Sequence, residues 1–300
     1  MPRRFAFRRR RYARKGRFSS RARAAAIRRR PSARRFGSRR SFRFSRRRIL
    51  NVASIKKHDN MMPTVRIPGG GLVPGPISTT TGFTSLFVPS ARQLNVGSAG
   101  ESGRERQTTF SVGYKERVQV DVIGGGVWKW RRVVFAYKGV TLYDQGDPTW
   151  TVPFHNKAID PQGSDMVRLI GQPTTDQAQF LRAVIWDGTE GIDWTSEFVA
   201  KVDTSRVTPL YDRTITFNPR NESGYSRTFR LWHPTRKNIV YNEDEEGGAP
   251  DAFGSYTSVI GRPGMGDLYV YDIVYNVIPS ASGSTTLNFT PEGTYYWHER

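Results

Sequence analysis

The first 50 residues carry 22 Lys and Arg and not one Asp or Glu. Like charges at that density repel one another, and the segment has too little apolar surface to offset the entropy of ordering it. It cannot join a hydrophobic core. The whole chain has 47 Lys and Arg and 26 Asp and Glu. The remaining 250 residues therefore hold 25 cations against all 26 acids, a net of −1. The formal net charge of +21 is a property of the first sixth of the chain. This split predicts a disordered basic arm over 1–48 and a near-neutral folded domain over 49–300.

The arm is built to meet a polyanion. Its clusters are Arg3 and Arg4; Arg8, Arg9, Arg10 and Arg11; Arg28, Arg29 and Arg30; Arg34 and Arg35; Arg39 and Arg40; and Arg46, Arg47 and Arg48. Lys15 is the only lysine before Lys56. Guanidinium grips phosphate through paired hydrogen bonds and stacks on bases. Phe5, Phe7, Tyr12, Phe18, Phe36, Phe42 and Phe44 lie between the clusters and offer stacking platforms for unpaired bases. A short helix over 20–30 on a polyanion fits the alanines there. Lys56 and Lys57 extend the basic run just past the arm. Three other readings stand beside this one: a mitochondrial presequence, a nuclear localisation signal on an unrelated protein, and the basic tail of a ribosomal or chromatin protein.

Beyond residue 51 the composition changes to that of an all-β domain. All seven Trp lie there, and the chain has no Cys, so neither a disulfide framework nor a thiolate metal site is available. No apolar run is long enough to span a membrane, and the N-terminus lacks the apolar stretch of a secretory signal. The two glycosylation sequons, at Asn221 and Asn288, are then read as chance matches. Residues 117–122 alternate strictly, with Val118, Val120 and Val122 on one face, which predicts a half-buried strand. Val127 to Tyr137 is rich in aromatic and β-branched residues, and three glycines at 124–126 suggest a loose hairpin between the two. Further strands are expected at 179–186, 213–217, 225–232, 238–241, 268–278 and 285–289. A little helix is expected within 164–171, and no long amphipathic helix. Segments 63–82 and 97–108 read as long loops. Many strands joined by Gly- and Pro-rich loops predict a single jelly-roll β-sandwich.

Catalytic patterns are missing from the sequence. His58, His155, His233 and His298 form no metal-binding pair, there is no nucleophile elbow, and no glycine cluster is followed by the Lys-Ser/Thr of a phosphate loop. The chain is accordingly expected to be no enzyme, with no cofactor and no metal. Two local features remain. Trp128, Lys129, Trp130 and Arg131 set indoles beside cations and make a candidate base-stacking surface, with core or interface tryptophan as the plainer reading. Glu243 to Glu246 is an acidic run that either meets a cation or sits in a solvated loop.

The order of parts resembles a known family. An Arg-rich arm leads into Ile49-Leu50-Asn51-Val52-Ala53-Ser54-Ile55-Lys56-Lys57-His58-Asp59, and a β-rich body closes on Tyr295-Tyr296-Trp297. This layout is similar to the capsid proteins of genomoviruses, small circular single-stranded DNA viruses related to the geminiviruses. The Asn-x-x-Ser-x-Lys-Lys stretch carries the likeness most specifically, with His58 where another basic residue would be expected. The resemblance implies a jelly-roll subunit, a small icosahedral shell of 60 copies, a circular single-stranded DNA cargo, and import into the host nucleus through receptors that read the arm. The expected locations are then the virion and, during assembly, the host nucleus. A cellular nucleic-acid-binding protein with a basic tail is the competing reading, and a β-sandwich enzyme with an import presequence is a third.

Overall fold

A computed structural model describes residues 46–66, 72–92, 94, 102–139, 142, 166–219, 224–243, 245–246, 249–250, 256–279 and 285–300. These fall in one compact unit, Ser45–Arg300. The arm residues before it, including the clusters from Arg3 to Arg40, lie outside the described residues.

Helix α1 (Arg46–Ala53) opens the unit. It is followed by β1 (Ile55–Met61), β2 (Pro63–Arg66), β3 (Leu72–Pro74), β4 (Ile77–Thr79), β5 (Gly82–Phe87), β6 (Thr108–Ile123), β7 (Val127–Tyr137) and β8 (Arg168–Ile170). Helix α2 (Thr175–Ile185) comes next, then β9 (Thr208–Phe217), β10 (Tyr225–Val240), β11 (Glu245–Glu246), β12 (Ala249–Pro250), β13 (Asp267–Ile278) and β14 (Thr286–Glu299).

Two antiparallel sheets carry the fold. The first has the order β1-β14-β6-β10, with β4 pairing the far end of β14; the second has the order β5-β13-β7-β9. Ranking the eight principal strands by position in the chain, the sheets read 1-8-3-6 and 2-7-4-5. That interleaving is the strand order of a jelly roll, so the expected fold class is the observed one. Strands β2, β3 and β8 form a small third sheet, with β2 and β8 parallel.

The sheets pack face to face. Val118, Val120 and Val122 of β6 and Leu287 and Phe289 of β14 meet Trp128 and Trp130 of β7, Phe217 of β9 and Val274 of β13. The valine alternation read from the sequence is thus the core-facing side of β6, with Arg117 and Gln119 exposed on the opposite side. The second sheet is also covered on its other side. Leu181 and Ile185 of α2, together with Trp186 and Trp194, cluster with Val133, Phe135, Tyr269 and Tyr271. This is why β7 is buried almost throughout and β13 as far as Val274, while β6 and β14 alternate. Among the described residues no such cover lies on the outer face of the first sheet.

Several expectations are corrected. Residues 179–186 lie mostly in α2, not in a strand. Thr174 and Gln177 form a capping box, and Gln177, Leu181 and Ile185 make a buried stripe at helical spacing. The glycines at 124–126 do not close a hairpin; β6 and β7 belong to opposite sheets, and the glycines carry the chain between them. The helix expected within 164–171 is instead β8 at 168–170. Segments 225–232 and 238–241 are one strand, β10, interrupted by a bulge between Pro234 and Lys237. Proline has no N–H for the ladder, and Arg236 takes a left-handed φ of 51° in the bulge. The loop expected at 63–82 contains β2, β3 and β4.

Candidate nucleic-acid interface

The sequence-selected residues divide sharply once placed. Arg46, Arg47 and Arg48 form the first turn of α1, and their side chains lie outside the described residues. Lys56 is exposed on β1. Its neighbour Lys57 points the other way and is buried. Its Nζ lies 2.7 Å from Glu105 Oε1 and 2.8 Å from the Gly103 carbonyl oxygen, with Glu299 Oε2 at 3.6 Å. Strand alternation puts adjacent lysines on opposite faces, so Lys57 is not available to a nucleic acid.

The proposed stacking surface at 128–131 is also corrected. Trp128 and Trp130 are in the core, where their indole N–H groups donate to Thr285 Oγ1 at 3.2 Å and Asp272 Oδ1 at 2.8 Å. Arg131 faces the other side of the second sheet but is buried under Trp186, 4.5 Å from its ring centroid. It makes a two-pronged contact with Asp212 at 2.9 and 2.7 Å and donates to the Ala200 carbonyl at 2.9 Å. Lys129 alone of the four remains partly exposed, and it has no ion-pair partner among the described residues. Indoles sealed between two sheets cannot stack on bases.

Behind Trp130 lies a charged cluster that sequence reasoning missed. Glu116 of β6, Arg132 of β7, Arg168 of β8 and Asp272 of β13 are all essentially inaccessible to solvent. Arg132 donates to both Asp272 oxygens, at 2.7 and 2.8 Å, and to Glu116 Oε2. Arg168 donates to Glu116 Oε1 and Asp272 Oδ2, both at 2.8 Å, and to the Leu169 carbonyl at 3.1 Å. Tyr114 Oη donates to Glu116 Oε1 at 2.8 Å. Two cations and two anions cancel, and the guanidinium nitrogens are occupied. Burial by itself pushes the Glu116 pKa up, but Arg132 and Arg168 outweigh it and bring it down to about 2. The cluster joins the two large sheets to the small sheet of β2, β3 and β8, and its charged groups are spent on one another. Its members stand at 116, 132, 168 and 272, so no local motif announces it.

His233 sits next to this cluster, stacked at 6.3 Å on Tyr114 and edge-on at 4.9 Å to Tyr211. Burial, reinforced by the Arg132 charge, brings its pKa down to about 4, which keeps it neutral. Of the acidic run, Glu243 is an ion-pair partner of Arg104, and the side chains of 244–246 lie outside the described residues. Among the described residues no group of three or more His, Asp or Glu is arranged to hold a metal.

The outer face of the first sheet is where exposed cations and rings meet. Register places Lys56 and His58 of β1 opposite His298 and Tyr296 of β14. Across the sheet, Lys115 and Arg117 of β6 lie opposite Thr294 and Glu292 of β14 and opposite Trp232 and Arg230 of β10. A cleft of roughly 430 Å³ opens on this face, lined by Asn60, Lys115, Arg117, Glu292, Thr294 and Tyr296 among others.

No family model and no curated protein matches this chain. Among solved structures it is similar to VP1 of human polyomavirus 6, from a pentamer structure, at 11% identity over 81% of this chain and 93% of that chain, TM-score 0.22. It is also similar to VP1 of trichodysplasia spinulosa-associated polyomavirus, solved in complex with GM1 oligosaccharide, at 7% identity over 82% of this chain and 76% of that chain, TM-score 0.13. Superposition that loose adds nothing to the fold assignment, which rests on strand order.

Proposed function

We propose that this chain is a viral capsid protein whose jelly-roll body builds a closed shell and whose Arg-rich arm neutralises packaged single-stranded DNA. The observation that carries the reading is the union of two parts. An acid-free segment with 22 cations is joined to an eight-stranded jelly roll whose own charge is −1. A near-neutral body lets subunits approach without long-range repulsion, so short-range apolar and polar contacts can close a shell. The arm supplies the counter-charge that packed phosphates require.

The genomovirus-like layout of the chain supports the finer reading: circular single-stranded DNA as cargo, nuclear import through the arm, and no catalytic role. The smallest icosahedral shell has about 60 copies, in which closed symmetry gives every repeated patch a partner. Sixty arms would bring roughly 1,300 cations inside, on the order of one per phosphate for a genome of one to a few kilobases.

The test is to purify the recombinant protein, examine it by electron microscopy and treat it with nuclease. Closed particles that protect single-stranded DNA are expected. A chain that stays monomeric at high concentration with DNA present defeats the capsid reading and favours a cellular nucleic-acid-binding protein.

A further inference from the structure

We infer that the outer face of the first sheet is a second, body-borne docking surface for single-stranded nucleic acid, with bases stacking on Trp232 and Tyr296. The inference rests on the reading that this chain packages single-stranded nucleic acid, and extends it from the arm to the shell domain.

Three features of that face ask for a ligand. The first is a row of rings across four strands. His58 of β1 stacks on Tyr296 of β14, with centroids 6.0 Å apart and planes 19° apart. Trp232 of β10 meets the same tyrosine edge-on at 5.9 Å. Strand β6 runs between β10 and β14, and the residue it presents there is Gly113. A Cβ at that position would come within 2.8 Å of the Trp232 ring and 2.6 Å of the His233 carbonyl oxygen. The missing side chain lets the indole lie down across β6 and reach Tyr296. Trp232 remains 45% exposed. A large ring that folds over its own sheet yet stays open to solvent provides the flat apolar surface on which an unpaired base stacks.

The second feature is charge that the fold itself does not use. Arg117 and Arg230 stand directly opposite each other in the β6–β10 ladder, both exposed. Directly opposed like charges destabilise a sheet. Neither they nor Lys56 and Lys115 have an ion-pair partner among the described residues. Two carboxylates share the face. Glu292 lies opposite Arg117 on the other side without pairing with it. Asp121, further along β6, accepts hydrogen bonds from Gln119 and Ser226. Four uncommitted cations around a row of rings match a phosphate backbone with splayed bases, and Arg117 opposite Arg230 is then a phosphate clamp, no longer a defect.

The third feature is continuity. Strand β1, which supplies Lys56 and His58, follows within two residues of α1, and α1 begins with Arg46, Arg47 and Arg48. The last cationic cluster of the basic segment therefore adjoins in sequence the strand that bears Lys56 and His58. The adjoining cleft of roughly 430 Å³ is of the size that accepts a base or nucleoside.

The experiment uses the full chain and an iododeoxyuridine-substituted oligothymidylate of about 20 nucleotides. Irradiation should cross-link it to peptides containing Trp232 or Tyr296. In about 0.5 M salt, where phosphate contacts are weakened, W232A/Y296A should bind the single strand at least tenfold more weakly than the unmodified chain. Its weak duplex binding should be unchanged, because paired bases do not expose their faces. The conservative W232F/Y296F should retain single-strand binding, which separates lost stacking from lost folding. Cross-links confined to residues 1–48, or wild-type affinity in W232A/Y296A, would overturn the inference while leaving the capsid reading intact. So would an alanine variant that cross-links normally but no longer assembles, since the face would then belong to a neighbouring subunit. A wild-type chain that binds no single-stranded DNA at all defeats both readings.

Discussion

Glu116, Arg132, Arg168 and Asp272 show how a charged residue can be invisible to sequence reading and still govern stability. Within the sequence, Arg132 follows Arg131 and the pair resembles a surface patch. In the fold, one carboxylate each from β6 and β13 grips two guanidiniums in a dry space. Nothing local to any of the four encodes the meeting, since the sequence separations run from 16 to 140 residues for the contacts Arg132 makes. Asp272→Asn leaves both arginines buried with one anion between them. The expected loss is about 3–5 kcal/mol in urea unfolding. A loss below about 1 kcal/mol would show that water reaches the cluster and solvates it. The Trp128–Arg131 stretch failed as a surface for a related reason: composition cannot say that the first sheet covers both indoles and that Trp186 covers Arg131 on the other side. His233 gives a pH signature. Its folded pKa of about 4 lies below the ordinary 6.5, so the unfolded chain binds the extra proton. The stability it contributes is complete above about pH 6.5 and is lost as the pH falls toward 4. Asp267 acts oppositely. Burial raises its pKa to about 6 against the hydrogen bonds from Ser258 and Ser90, so its contribution fades as the pH rises from about 4 to 6. The two partly cancel in the wild-type profile, and the difference isolates the histidine. Relative to wild type, His233→Phe should gain up to about 3 kcal/mol between pH 6.5 and 4. A difference that does not vary over this interval would mean that His233 titrates normally.

At the scale of elements, the long alternating and aromatic runs were legible and the interruptions were not. Strand β7 was readable from end to end because eleven consecutive residues suit a buried strand. Strand β14 was readable only as far as Phe289, because Pro291 and Gly293 break its pattern. The structure accounts for both. Pro291 falls between the residues that β4 pairs (287–289) and those that β1 pairs (from 293), so β14 has a ladder on only one side there. At Gly293 a Cβ would lie 2.1 Å from the Tyr114 hydroxyl, the same hydroxyl that donates to Glu116. Helix α2 was misread because Phe180, Leu181, Val184 and Ile185 are compatible with a short buried strand when seen as a run. The deciding signal stood just upstream, in the Thr-x-x-Gln of a capping box. Thr174 Oγ1 accepts from the Gln177 N–H at 3.5 Å, and the Thr174 N–H donates to Gln177 Oε1 at 2.8 Å. Thr174→Ala should therefore cost about 1 kcal/mol in a denaturant melt, and Thr174→Ser should restore most of it. Equal stability of the alanine variant would assign the helix start to packing of Leu181 and Ile185 alone.

For the molecule as a whole, the partition of charge was the most legible property, because a count needs no knowledge of contacts. On the proposed reading it would divide the work of binding: long-range, sequence-blind attraction from the arm, and short-range stacking from the face of the first sheet. These respond differently to salt. Each phosphate contacted on a single strand releases about 0.7 counterions. If ten of the 22 arm cations engage, the logarithm of the binding constant should fall against the logarithm of salt with a slope near −7. Stacking adds affinity without steepening that slope, so the wild-type chain and W232A/Y296A should give nearly parallel lines, the variant lower by a constant interval. Removing the cations of 1–48 by substitution should instead flatten the line. A wild-type slope shallower than about −2 would exclude an electrostatic arm, whatever the assembly state. Strong preference for one base sequence would point away from packaging altogether, because neither guanidinium–phosphate pairing nor ring stacking distinguishes bases well enough to choose one site over another.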